Sequence, residues 1–259
     1  MLSLDVQARF DAAIASGELP VPVLPESASQ VLAMIDRPTC DAWRLAELVR
    51  RDPAMTAHVM QIAASPVYAT ATKVSSLQQA IARLGFTTIA QIAVAAAAKA
   101  RVFAVPGFER ELRAAFAHAL QTALFAQEIA RLRRSTVDVA FLAGLFHDFG
   151  QPVLLQKLVD LDPRIDRESA IAAVEAAHAE VGAALVARWA MPAKVAEAVK
   201  LHHAPAGCEL AVLVAVADCL AHAREVPVEL SAQLNLYPED VEAIAARSAQ
   251  ILETARVMA

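Results

Sequence analysis

Phe141-Leu-Ala-Gly-Leu-Phe-His-Asp-Phe-Gly-Gln151 sets a histidine beside an aspartate in an otherwise apolar run. Burying such a pair costs free energy unless both side chains are hydrogen-bonded or hold an ion. Imidazole and carboxylate are also among the commonest metal ligands. Neighbours on a helix point about 100° apart, so His147 and Asp148 reach one ion only from the wall of a helical pocket. Other helices must supply the remaining ligands, and whether the chain has them decides its function class.

The bulk composition suits such a pocket. The 259 residues are 57% hydrophobic with only 7 glycines, and the mean hydropathy is +0.43. Abundant Ala with scarce Gly favours helix over sheet. The formal charge of −5 argues against a nucleic-acid partner, whose footprint is a basic face. Cys40, Cys208 and Cys219 are odd in number and lack CxxC spacing, as expected of small buried thiols in a reducing compartment. The apolar runs Ile89 to Ala98 and Leu210 to Ala217 end at Lys99 and Asp218. Both fall short of the roughly 20 residues that span a bilayer. The N-terminus has no apolar signal core, so a cytoplasmic protein with no membrane partner is expected.

Outward from the dyad the chain reads as helices throughout, with no long period-two stretch. Residues 1–18 place Val6, Phe10 and Ile14 on one face, and the prolines of Leu19 to Pro25 end that helix. A helix restarts near Glu26–Ser27 with Val31, Leu32 and Ile35, and another carries Trp43, Leu45 and Leu48. Asp52-Pro53 is an N-cap followed by proline at the first helical position. Ser76-Leu-Gln-Gln79 has capping-box form, Gly85 is the C-cap, and Thr88 caps the next helix. Pro106-Gly107 is the junction, dividing a helical unit at 1–105 from a second at 106–259. In the second, helices are expected at about 110–132, 136–148, 151–160, 167–188, 192–203, 208–223 and 238–257.

Six of the seven histidines lie at or after His118. Gathered into one pocket, His118, His147, Asp148, His178, His202, His203 and Asp218 would hold one or two divalent ions. Such ions acidify a bound water and clamp a phosphate. A histidine alone on an Ala-rich helix reads more simply as a core or surface residue, and no short-range ligand motif such as HExxH occurs. His58 reads as structural, Trp189 as packing, and Lys200 as part of a solvated face. His222, four residues after Asp218, shares its helical face and reads as a surface residue or an orienting partner. Arg131, Arg133 and Arg134 suit a helix C-terminus. No basic residue follows the dyad or His203 closely, and there is no P-loop, GxGxxG or GxSxG.

Several blocks carry a resemblance: Leu24-Pro25, Arg51-Asp-Pro-Ala-Met-Thr56, Ser75-Ser-Leu-Gln-Gln-Ala-Ile-Ala-Arg-Leu-Gly85, Gly144-Leu-Phe-His-Asp-Phe-Gly150, His178-Ala-Glu-Val-Gly182, Arg188-Trp-Ala-Met-Pro192 and His202-His203. In this order they resemble the HDOD domain over roughly residues 19 to 223. The resemblance implies an all-α, HD-like helical bundle with an additional N-terminal helical subdomain. It also implies a bacterial signal-transduction output module that binds a partner protein or small ligand without catalysis. By similarity to catalytic HD and HD-GYP enzymes, His118, His147, Asp148 and Asp218 match the basic metal set. His178, His202 and His203 match the further ligands of two-metal versions. The implied cofactor is a divalent metal (Fe, Mn, Ni or Zn), mono- or dinuclear. The alternative is a metal-dependent phosphohydrolase or phosphodiesterase, with Asp148 acting beside a metal-activated water. Two departures count against turnover: Gln151 stands where HD-GYP proteins have Lys, and Ala204-Pro-Ala-Gly207 is not the Gly-Tyr-Pro signature. Ala64-Ser65-Pro66 stands where an Asn-Ser pair is common.

Overall fold

The computed structural model describes residues 4–19, 30, 42–68, 74–102, 105–205 and 207–259. The helix expected near Glu26–Ser27 and the Cys40 thiol lie outside them. Among the described residues every regular element is helical. The first group comprises α1 (Leu4–Ser16), α2 (Ala42–Arg51), α3 (Pro53–Ala63) and α4 (Leu77–Val102). The second comprises α5 (Glu109–Leu132), α6 (Val137–Phe146), α7 (Gly150–Leu161), α8 (Arg167–Glu175), α9 (His178–Arg188), α10 (Ala193–Leu201) and α11 (Glu209–Ala221). Helices α12 (Val228–Gln233), α13 (Pro238–Ala245) and α14 (Ser248–Met258) complete the chain.

The local signals act as their chemistry requires. Asp52 accepts from the backbone N–H groups of Ala54 and Met55, each at 3.0 Å, and Pro53 opens α3. Ser76 caps α4 through the Gln79 N–H at 3.2 Å. The return contact runs from the Ser75 N–H to Gln79 Oε1 at 2.8 Å, one residue earlier than a capping box makes it. Gly85, at φ +77° and ψ 164°, is the kink that divides α4 into two helical limbs, as expected of a helix end there, and Thr88 lies near the start of the second limb. The stretch Leu77–Ala96 is long and apolar enough to cross a membrane by length and composition, but half of it is buried within the fold.

Helix α6 organises the rest. All eight residues from Val139 to Phe146 are buried, as expected of a helix that is apolar on every side. Helix α5 lies along it so closely that a Cβ on Gly144 would come 2.7 Å from Ala123 Cα. Helices α10 and α11 also pack against α6, and α11 packs on α5. Phe125, Phe141, Phe146 and Phe149 are fully buried between these layers. Each such side chain contributes about 1.5–3 kcal/mol of transfer free energy. The buried cluster is continuous from Val6 to Met258, with α1 packed on α7 and α14 on α4 and α5.

Four expectations are corrected. The helix at 167–188 is two, α8 and α9, bent by 64° across residues 176–177. The helix at 238–257 is likewise broken at 246–247, and α12 was not expected. The helices at 136–148 and 192–203 end at Phe146 and Leu201, which leaves His147-Asp148 and His202-His203 in the turns that follow.

Candidate metal centre

Each of these turns sits at a helix end that faces the same pocket. The tips of α7 and α9 meet because Gly150 and Gly182 lack side chains: a Cβ on Gly150 would lie 2.0 Å from the His178 carbonyl oxygen and 2.9 Å from Gly182 N. That contact draws the start of α9, with His178, up against Asp148. Leu201 ends α10 and delivers His202 and His203 from another side, while α5 and α11 supply His118 and Asp218.

All seven predicted residues therefore form one connected cluster. His118 Nε2 lies 2.9 Å from Asp218 Oδ1, and His147 Nε2 lies 3.3 Å from Asp148 Oδ2 and 3.9 Å from Asp218 Oδ1. Asp148 Oδ1 is 3.1 Å from His178 Nε2 and 3.6 Å from His202 Nε2. His203 Nε2 lies 2.9 Å from His178 Nε2. All of them but His178, which stands behind Asp148, line a pocket of about 410 Å³ that Gln151, Glu175, His222 and Arg224 also face.

Three of the imidazoles are oriented by carbonyls at nearby helix ends. Nδ1–H of His147, His178 and His202 donates to the carbonyl of Gly144, Glu175 and Val199, at 2.8, 2.9 and 2.7 Å. A carbonyl only accepts, so Nδ1 carries the proton and Nε2 is left as a lone pair whenever the ring is neutral. These Nε2 atoms converge on one another and on a carboxylate: His178 and His202 approach to 3.3 Å. Acceptors gathered in this way repel unless a cation sits among them, either a proton or a metal. His147 Nε2 is buried, and its nearest acceptor, Asp148 Oδ2 at 3.3 Å, is a charge contact and not an aligned hydrogen bond. Backbone-anchored imidazoles, a shared carboxylate and an orphaned nitrogen form a donor set that fits a divalent ion. Three triads bring ligand atoms within 4.8 Å of one another: His118/His147/Asp148, His178/His202/His203 and His118/Asp218/His222.

The charges follow from the same contacts. Burial opposes the imidazolium of His147, but the Asp148 carboxylate outweighs it, helped by Asp218, and lifts the group to about 9. His178 is raised against its own burial, through Asp148 and then Glu175. His203 falls to about 4 because it is partly buried and faces His202 and His178. Burial also lowers His118, although its bond to Asp218 opposes this. Asp148 and Asp218 are held down despite burial. Asp148 is pulled well below the usual range by His147, His178 and His202, and Asp218 to about 2 by His118 and His147.

His222 and Arg224 belong to the site, although the sequence singled out neither as a ligand. His222 Nδ1 is 3.1 Å from Asp218 Oδ1, a contact that the four-residue spacing had made legible. Arg224 pairs with Asp218 Oδ2. Nothing in the local sequence signals this. Helix α11 ends in a Schellman turn, with Arg224 N–H on the Cys219 carbonyl and Ala223 N–H on that of Leu220, at 2.8 and 3.0 Å. Ala223 takes the left-handed position, φ +52°, that glycine usually fills. Lys200 pairs instead with Glu180 on the surface. Trp189 packs edge-on to Phe146 and Phe149. His58 contacts the Met258 carbonyl outside the pocket. Arg131 and Arg133 pair with Glu128 and Glu209.

Comparison with known proteins agrees with this architecture. A ribonuclease Y of Thermus thermophilus is 36% identical over 129 residues, 49% of this chain and 19% of that protein. The chain therefore spans about a fifth of the length of that relative. An uncharacterized protein of Treponema pallidum is 23% identical over 207 residues, 75% of this chain and 40% of the other. Among solved structures, a proposed metal-dependent phosphohydrolase from Shewanella amazonensis superposes with a TM-score of 0.75 at 18% identity, covering 98% of this chain and 100% of that one. An HDOD domain protein of unknown function from Geobacter sulfurreducens gives 0.69 at 23%, with 98% of each chain covered. At these identities the two structures share the fold. The family model of the HDOD domain matches residues 21–205, most of the chain, and the chain belongs to the HDOD family.

Proposed function

We propose that the chain is a bacterial, cytoplasmic signal-transduction output module that works by binding a partner protein or a small ligand, without turnover. Residues 1–105 and 106–259 are its N-terminal and HD-like parts. His118, His147, Asp148, His178, His202, His203 and Asp218 would hold one or two divalent ions of Fe, Mn, Ni or Zn. Bound there, a metal supplies Lewis acidity and ties helix ends together.

The observation that carries the reading is the state of Asp218. Its Oδ1 faces His118 and His222, and its Oδ2 is taken by Arg224. Phosphoryl transfer requires cations aimed at the transferring group. Among the described residues lining the pocket, Arg224 is the sole Lys or Arg, and it is spent on a carboxylate. Gln151, facing the same space, is neutral.

The intact donor set favours a second reading, a metal-dependent phosphohydrolase or phosphodiesterase. The names of the Thermus and Shewanella relatives point the same way. One experiment separates the two. Purified protein is analysed for metal, then incubated with phosphate esters, cyclic dinucleotides and RNA, with Mn or Fe added. Bound metal with no turnover is expected. Turnover that Asp148→Ala abolishes overturns the binding reading.

A further inference from the structure

Resting on the metal reading above, we propose that Arg224 is a built-in competitor for the divalent cation at Asp218. The guanidinium and the ion are alternative partners of one carboxylate, so metal loading displaces Arg224 from the pocket.

Asp218 is the acidic member of the triad with His118 and His222, and its Oδ2 already carries a positive partner. A cation entering beside His118 meets that guanidinium as a like charge at close range. The two occupants therefore exclude each other or weaken each other. The Arg224 side chain is able to leave: it is 57% exposed and His222 beside it 49%, against 1% for His147. It also has somewhere to go. Arg224 lines both the metal pocket and a second groove of about 610 Å³, walled by Leu220, Val226, Tyr237 and Val241, where Glu225 and Glu242 offer carboxylates. The turn that carries Arg224 is fixed by backbone hydrogen bonds, so the change is a side-chain swing about a rigid support. Asp148, at the other end of the pocket, has no guanidinium on it; its partners are imidazoles. The competitor thus acts on one end of the centre and leaves the other intact. Metal occupancy becomes readable outside the pocket, as a cation delivered to the neighbouring groove.

The test is the affinity of the full chain for Mn²⁺, measured by calorimetry after chelator treatment, with thermal melts confirming that each variant is folded. R224Q is expected to bind Mn²⁺ about two- to five-fold more tightly than wild type, the range of an ion pair with an exposed member. R224K is expected to fall between, since lysine keeps the charge but lacks the planar fork. R164Q removes the same charge from an exposed loop that does not line the pocket and should leave the affinity at the wild-type value. Equal affinities of R224Q and R164Q, or weaker binding by R224Q, overturn the competitor while leaving the metal site standing. Absence of Mn²⁺ binding in all four proteins overturns the competitor and the metal reading together.

Discussion

The two aspartates of the pocket, Asp148 and Asp218, are 17% and 22% exposed, yet they are built differently. Asp148 sits in a turn, ringed by three imidazoles whose orientation is fixed by backbone carbonyls three residues before each. Asp218 lies on α11, and two of its partners, His222 and Arg224, are exposed side chains on flexible stems. One site is set by the backbone and the other by side chains that solvent can reach. A backbone-fixed end and an adjustable end thus share one cluster.

The sharpest way to break this contrast is Asp148→Asn. It removes the carboxylate shared by His147, His178 and His202, and metal affinity should fall by at least about 100-fold, since even outer partners of metal ligands cost roughly 10- to 100-fold. In the metal-free protein the His147 resonances should titrate far below the wild-type value of about 9. A loss no larger than that of Asp218→Asn would erase the distinction.

Gly150→Ala attacks the helix contact that builds the Asp148 end. The new methyl meets the His178 carbonyl at 2.0 Å, and overpacking of this kind costs about 1–3 kcal/mol. Chemical denaturation should show the loss, together with weaker metal binding. An unchanged midpoint would mean that α7 and α9 separate freely.

The pH dependence of metal-free stability should divide along the same line. His147 is raised from 6.5 to about 9, so its contribution is complete below the lower value and is lost as pH climbs through the upper one. His178 acts in the same direction. His203, lowered to about 4, and His118, also lowered, work oppositely. They stay neutral in the fold, and stability declines as pH drops below their ordinary value of 6.5. Denaturation midpoints in chelator should therefore fall on both sides of that value, and Asp148→Asn should flatten the alkaline arm, because His147 and His178 both owe their rise to that carboxylate.

The smallest effect belongs to the adjustable end. Ala223→Gly relieves a left-handed alanine and should stabilise the protein by about 0.5–1 kcal/mol, to the extent that relieved strain exceeds the added freedom of the unfolded chain. Thermal melts measure it, and a drop in stability would show that the Schellman turn is not strained.

Much of this was legible in residue order, and what was not has identifiable causes. Asp52-Pro53 and Ser76 carry their own hydrogen-bonding instructions, and the His147-Asp148 pair announces a buried polar centre. The helix break at residues 176–177 falls between alanines, with neither Gly nor Pro to mark it. It is imposed by packing, with α8 held to α7 and α9 to both α7 and α10. Arg224 was invisible because its position depends on an alanine adopting a glycine's conformation. His222 was half legible: its spacing gave the face it shares with Asp218, but not the partners across the pocket.

Beneath the dyad, Phe146, Phe149 and Trp189 meet edge to face, with ring centres 4.7–5.8 Å apart. Hydrocarbon so tightly joined is a sealed floor, and water does not percolate through it. Exposed side chains that line the pocket include His203, His222 and Arg224, so a ligand arriving past them meets side chains that can swing before it meets the buried dyad.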